Sequence, residues 1–112
     1  MSDERRRFQR AAIKGSVLIY DDGVASTDLI DVSMGGVRVS AKQSLLTKDS
    51  IWLEFTFKGH ENELIFGKRA MAKLAYSEVD IKNRRYIFGF QFLRLTEFQQ
   101  DVINSVMSAR AS

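Results

Sequence analysis

The sequence predicts a mainly β protein, a small antiparallel six-stranded β-barrel whose open end or side is covered by one C-terminal amphipathic α-helix. Three observations predict it. Residues 51–57 and 86–92 alternate at period two, the apolar spacing becomes helical after Thr96, and glycine-containing turn signals separate the short strands. The chain has 112 residues, of which 45% are hydrophobic and 28% charged. That length supports one core and not two, which excludes large multidomain enzymes as well as disordered tails.

The elements follow in order. Residues 13–20 are rich in β-branched and aromatic side chains and stop at the turn signal Asp21-Asp22-Gly23. A second strand is expected over 24–31, after which Val32-Ser33-Met34-Gly35-Gly36 breaks the pattern. Alternation resumes at 37–40, with Val37 and Val39 on one face. In 51–57, Ile51, Leu53, Phe55 and Phe57 share one side while Trp52, Glu54 and Thr56 take the other, the mark of a half-buried strand. The stretch from Leu64 to about Ser77 is interrupted by Gly67, which predicts a strand with a bulge or bend over 67–69. Residues 86–92 stack Tyr86, Phe88, Phe90 and Phe92 on one face and put Gly89 on the other. From Thr96, residues Phe98, Val102, Ile103, Val106 and Met107 fall at helical spacing, and Thr96 with Gln99 forms a capping box, giving a helix over about 96–109.

Composition narrows the chemistry. The absence of cysteine removes disulfides, thiolate nucleophiles and Cys-ligated zinc, and the one histidine, His60, sits in the loop-like stretch 58–63 and cannot form an imidazole cluster. No Ser-His-Asp order, carboxylate pair in a pocket or phosphate loop before a helix is visible, so no enzyme is expected, no cofactor and no metal. There is no signal peptide and no bilayer-spanning apolar run, so the expected location is the cytoplasm and no membrane partner is expected. The net charge of +3 is too small for a nucleic-acid-binding field. Most of its excess lies in the first ten residues, where Arg5, Arg6, Arg7 and Arg10 face only Asp3 and Glu4. Residues 1–12 are therefore expected to form a basic, flexible arm, and 13–112 the barrel and helix of a single domain.

Two segments stand apart from ordinary structure. Arg6 and Arg10 are four residues apart and can converge on one anion, their planar guanidinium forks matching a phosphate or the O6/N7 edge of guanine. In Asp31-Val32-Ser33-Met34-Gly35-Gly36, a carboxylate can accept from the N1–H and N2–H₂ donors of guanine, a hydroxyl can hold a phosphate or base atom, and glycines allow close approach. Each also has an ordinary reading, a solvated basic tail for the first and a turn between strands for the second. The chain contains one Arg-x-x-x-Arg, and it precedes the one Asp-x-Ser-x-x-Gly by about twenty residues.

This ordered pair resembles the PilZ domain, as do Gly89-Phe90-Gln91-Phe92 and the closing helix, so that the resemblance extends over nearly the whole chain. It implies a PilZ-like split barrel and a receptor for the second messenger cyclic di-GMP, contacted by Arg6, Arg10, Asp31, Ser33 and Gly36. By the same resemblance the arginine arm folds over the outer wall of the barrel, Asp31 and Ser33 read guanine, and Gly35 and Gly36 keep the loop open. Arg5, Arg7 and Arg38 are implied as auxiliary contacts, each with the ordinary reading of a solvated or surface-paired arginine, and Arg5, just before the first motif arginine, would permit a stacked pair of nucleotides. Cyclic di-GMP would be a regulatory ligand, and an unidentified downstream protein would read the altered surface of a monomer or weak dimer. Two rivals differ in class: a PilZ-like interaction module of pilus or motility machinery that binds no nucleotide, and a barrel that stacks single-stranded nucleic acid on exposed aromatics such as Trp52.

Overall fold

The alternating runs become seven strands and a helix: β1 (Gly15–Tyr20), β2 (Val24–Val32), β3 (Gly36–Ala41), β4 (Ile51–Lys58), β5 (Leu64–Phe66), β6 (Ala70–Asp80), β7 (Arg85–Arg94) and α1 (Glu97–Ala111). The computed structural model describes residues 14–21, 23–44, 51–58, 64–66 and 69–111. The arm with Arg5, Arg6, Arg7 and Arg10, the loop with His60, and Gly67 lie outside the described residues. All strand pairings are antiparallel and run β1-β2-β3-β7-β6-β4, with β4 returning to β1 so that six strands close a barrel. Closure satisfies the backbone groups that a sheet edge would leave unpaired.

The stretch expected as one bent strand is two strands on one edge of β4. β5 pairs residues 56–58 of β4, and β6 pairs residues 51–53 before leaving it to follow β7. β6 also runs past Ser77 to Asp80, because the β6–β7 hairpin continues three residues beyond the predicted end and turns over 81–84. In that turn Asp80 accepts from the backbone and side-chain amides of Asn83, at 3.2 and 2.7 Å. Arg84 takes the left-handed φ of 55° that completes it.

The core lies inside the barrel. Val17 and Ile19 of β1, Val37 and Val39 of β3, the four predicted residues of β4, and Phe88, Phe90 and Phe92 of β7 are all buried. Trp52, on the other face of β4, is exposed, as the period-two pattern requires. Phe55 is at the centre of the aromatic packing, stacked on Phe57 at 5.5 Å and edge-on to Phe92 at 5.7 Å. Such pairs add to the area term that dominates core energetics.

The helix begins as its cap predicts. The Thr96 backbone N–H donates to Gln99 Oε1 at 2.8 Å, and the Gln99 N–H donates to Thr96 Oγ1 at 3.1 Å. The apolar stripe is narrower than expected: Ile103 and Val106 are buried and Val102 and Met107 half-buried, but Phe98 is exposed. Gln99 takes the inner position in its place, and its side-chain amide donates to the carbonyl of Arg69 at 2.5 Å. One side chain thus caps the helix and ties it to the start of β6. Gln99→Ala removes both functions and is expected to cost about 1–2 kcal/mol. In thermal unfolding followed by circular dichroism this lowers the melting temperature by roughly 5–10 °C, and an unchanged midpoint would show that the tether contributes nothing.

Candidate functional site

Simple alternation along β2 buries Thr27 and Leu29 and would carry Asp31 into the core. A bulge prevents this. Leu29 pairs with Val39, but Asp31 pairs with Arg38, so Ile30 is an extra residue and the parity of the strand reverses. Val32 then falls on the core side, fully buried opposite Val37, and Asp31 faces Arg38 on the outer wall.

A second bulge does the same on β6. Leu74 pairs with Phe90 and packs on the core, whereas Tyr76 pairs with Gly89, leaving Ala75 unmatched and turning Tyr76 outward. Arg38 and Gly89 are themselves paired between β3 and β7. The two bulges therefore align Asp31, Arg38, Gly89 and Tyr76 in one row across four strands of the outer wall. Gly89 is the low point of that row. A Cβ built there would lie 2.1 Å from Tyr76 Cε1, so the tyrosine ring rests on the backbone of β7.

The charges in this row are engaged with each other. Arg38 Nε donates to Asp31 Oδ2 at 2.8 Å, Nη2 of the same guanidinium donates to the same oxygen, and Tyr76 lies near enough to add to the rise in the Arg38 pKa. The Asp31 hydrogen bond raises the pKa of Arg38 above its already high ordinary value, against the lowering effect of partial burial. Asp31 is 5% exposed and Tyr76 42%, so the carboxylate sits at the floor of the row and the ring at its rim. Further along the wall, Arg85 ties β7 to β3 and β2 through Ser40 Oγ at 2.9 Å and Asp28 Oδ2 at 2.6 Å.

Ser33, named with Asp31 in the sequence motif, is bonded within its own loop. Its hydroxyl accepts from the backbone N–H of Gly35 at 3.1 Å and of Gly36 at 3.2 Å, and its own N–H donates to the Gly36 carbonyl at 2.8 Å. With 1% exposure it shapes the loop from within. Gly36 answers to packing as well, since a Cβ there would meet the Phe90 carbonyl oxygen at 2.2 Å. The Gly35 carbonyl accepts from Phe92 N–H at 3.0 Å, completing the attachment of the loop to β7. The structure thus brings Asp31, Arg38 and the Ser33–Gly36 loop to one place. It adds Tyr76, which sequence reasoning missed; the usable signal was Gly89, a lone glycine in an aromatic strand that marks a close approach.

The described residues form a closed six-stranded barrel with a terminal helix, with Phe55, Phe57, Phe88, Phe90 and Phe92 inside and a carboxylate, a guanidinium and a tyrosine gathered on the outer wall. The chain belongs to the PilZ domain family, whose family model matches residues 4–108. Solved structures give the same fold. The Bacillus subtilis inhibitor of motility MotI/DgrA has a TM-score of 0.72 at 17% identity over 93% of this chain. The PilZ domain of Escherichia coli YcgR with c-di-GMP scores 0.62 at 15% identity, covering 96% of this chain and 92% of that one. The Borreliella burgdorferi PlzA protein in complex with c-di-GMP scores 0.66 at 9% identity over 95% of this chain. The chain spans about half the length of the Bacillus and Borreliella proteins, 50% and 51%. Among curated proteins none matches the sequence. No helix among the described residues is long and apolar enough to cross a membrane.

Proposed function

We propose that the protein is a cyclic di-GMP receptor and adaptor, without enzymatic activity, that responds to the nucleotide as a regulatory ligand. The observation that carries this reading is the placing of Asp31 on the outer wall by the β2 bulge, in one row with Arg38, Gly89 and the exposed Tyr76. A carboxylate there accepts from the N1–H and N2–H₂ edge of guanine, and an aromatic ring at the rim offers a face to a base. Two relatives of the same fold are solved with c-di-GMP.

In this reading Arg6 and Arg10 supply the guanidinium forks for the two phosphates and the guanine O6/N7 edges, with Arg5 and Arg7 as auxiliary contacts. Asp31 reads the opposite guanine edge. Ser33, Gly35 and Gly36 hold the loop in the shape that presents it. The arm over residues 1–12 orders around the ligand, and the ordering entropy is offset by charge-assisted hydrogen bonds and stacking. The changed surface is read in the cytoplasm by a partner protein, in keeping with a relative that inhibits motility.

Isothermal titration of the purified protein with cyclic di-GMP, with GTP and linear di-GMP as controls, tests this. Selective binding is the expected result, and its stoichiometry separates one nucleotide from a stacked pair. No heat at tens of micromolar and an unchanged melting temperature would overturn the receptor reading in favour of a nucleotide-independent interaction module.

A further inference from the structure

The receptor reading assigns Asp31 to guanine, yet in the structure its Oδ2 already accepts from two nitrogens of Arg38. Those donors are chemically matched to the ligand. The Nε–H and Nη2–H of a guanidinium are adjacent, coplanar and parallel, and so are the N1–H and N2–H of guanine; both are forks that fit a carboxylate.

We infer that Arg38 is a built-in competitor for the nucleotide, an internal mimic of the guanine edge that holds Asp31 until the ligand displaces it. The inference rests on the receptor reading and gives the same site a threshold. Burial makes the competition direct, because the Asp31 side chain is only 8% exposed and offers few directions of approach to a second fork. The displaced group has somewhere to go, since the Arg38 side chain is 36% exposed and can turn into water. Arg38 is thus a positioning residue that tunes affinity by what it withholds.

The test is titration of the full chain and its Arg38→Met and Arg38→Lys variants with cyclic di-GMP, with melting temperatures and far-ultraviolet circular dichroism as folding controls. Arg38→Met is expected to bind about five- to tenfold more tightly, the effect of no longer breaking a charge-assisted pair. Arg38→Lys keeps the charge and loses the fork, and it should fall between Met and wild type. Damage to the fold lowers affinity, and loss of a positive charge by itself weakens the binding of a dianion, so neither produces a gain. Equal or weaker binding by both variants, with wild type binding normally, overturns the inference and leaves the receptor reading intact. If no form of the protein binds, both readings fall. Should Arg38→Met not fold, the Lys variant decides by the same criterion.

Discussion

Asp31→Ala is expected to weaken cyclic di-GMP binding by tenfold to about 100-fold while leaving the barrel folded. The lost contact is a bidentate, charge-assisted one, a class that contributes roughly 1–3 kcal/mol to base recognition. The fold tolerates the change because the orphaned group is Arg38, whose side chain is 36% exposed and can be hydrated. Neighbouring Val32 and Val37 keep their full burial. Stability should therefore change by only about 1 kcal/mol. Titration calorimetry together with thermal melting reads both quantities. Wild-type affinity in a folded Asp31→Ala protein would remove Asp31 from the site, whereas a collapse of the melting temperature would make its role structural.

Phe55→Ala carries the largest effect on stability. Phe55 is 1% exposed and is the ring that Phe57 stacks on and Phe92 meets edge-on, so truncation leaves a cavity bounded by β4 and β7. Buried Phe→Ala changes cost about 3–5 kcal/mol, against a total of roughly 5–15 kcal/mol for a domain. The melting temperature is expected to fall by about 15 °C or more. Trp52→Ala on the same strand removes a larger side chain from the exposed face, and its midpoint should move far less. Thermal unfolding of the two variants side by side checks the assignment of faces, and a reversed order would place the core on the wrong side of β4.

The core was legible because burial writes itself into period two. Ile51, Leu53, Phe55 and Phe57 could be assigned to one face without knowing what covered them, and the Thr96–Gln99 cap followed from local hydrogen-bonding capacity. Phe98 misled the same logic. Helical spacing says which residues lie near the inner face, but the inner position at that turn belongs to Gln99, whose partner is a carbonyl thirty residues earlier in the chain. The split into β5 and β6 was illegible for a similar reason, since both lie along one edge of β4 and only pairing distinguishes a bent strand from two.

The sequence by itself determined the class of fold, the inward faces of the regular strands, the cap of the helix and the two motifs whose order points to the PilZ family. Only the tertiary structure decided what the motif residues do. Asp31 and Tyr76 both follow a strand whose alternation would carry them inward, and a bulged residue, Ile30 in one case and Ala75 in the other, turns each one out. A bulge is an extra residue relative to a partner strand, so it exists only once pairing is defined and leaves no mark in the period of either strand alone. The engagement of Asp31 by Arg38 likewise follows from the shifted β2–β3 register, while Ser33 turns into its own loop through bonds to the Gly35 and Gly36 amides.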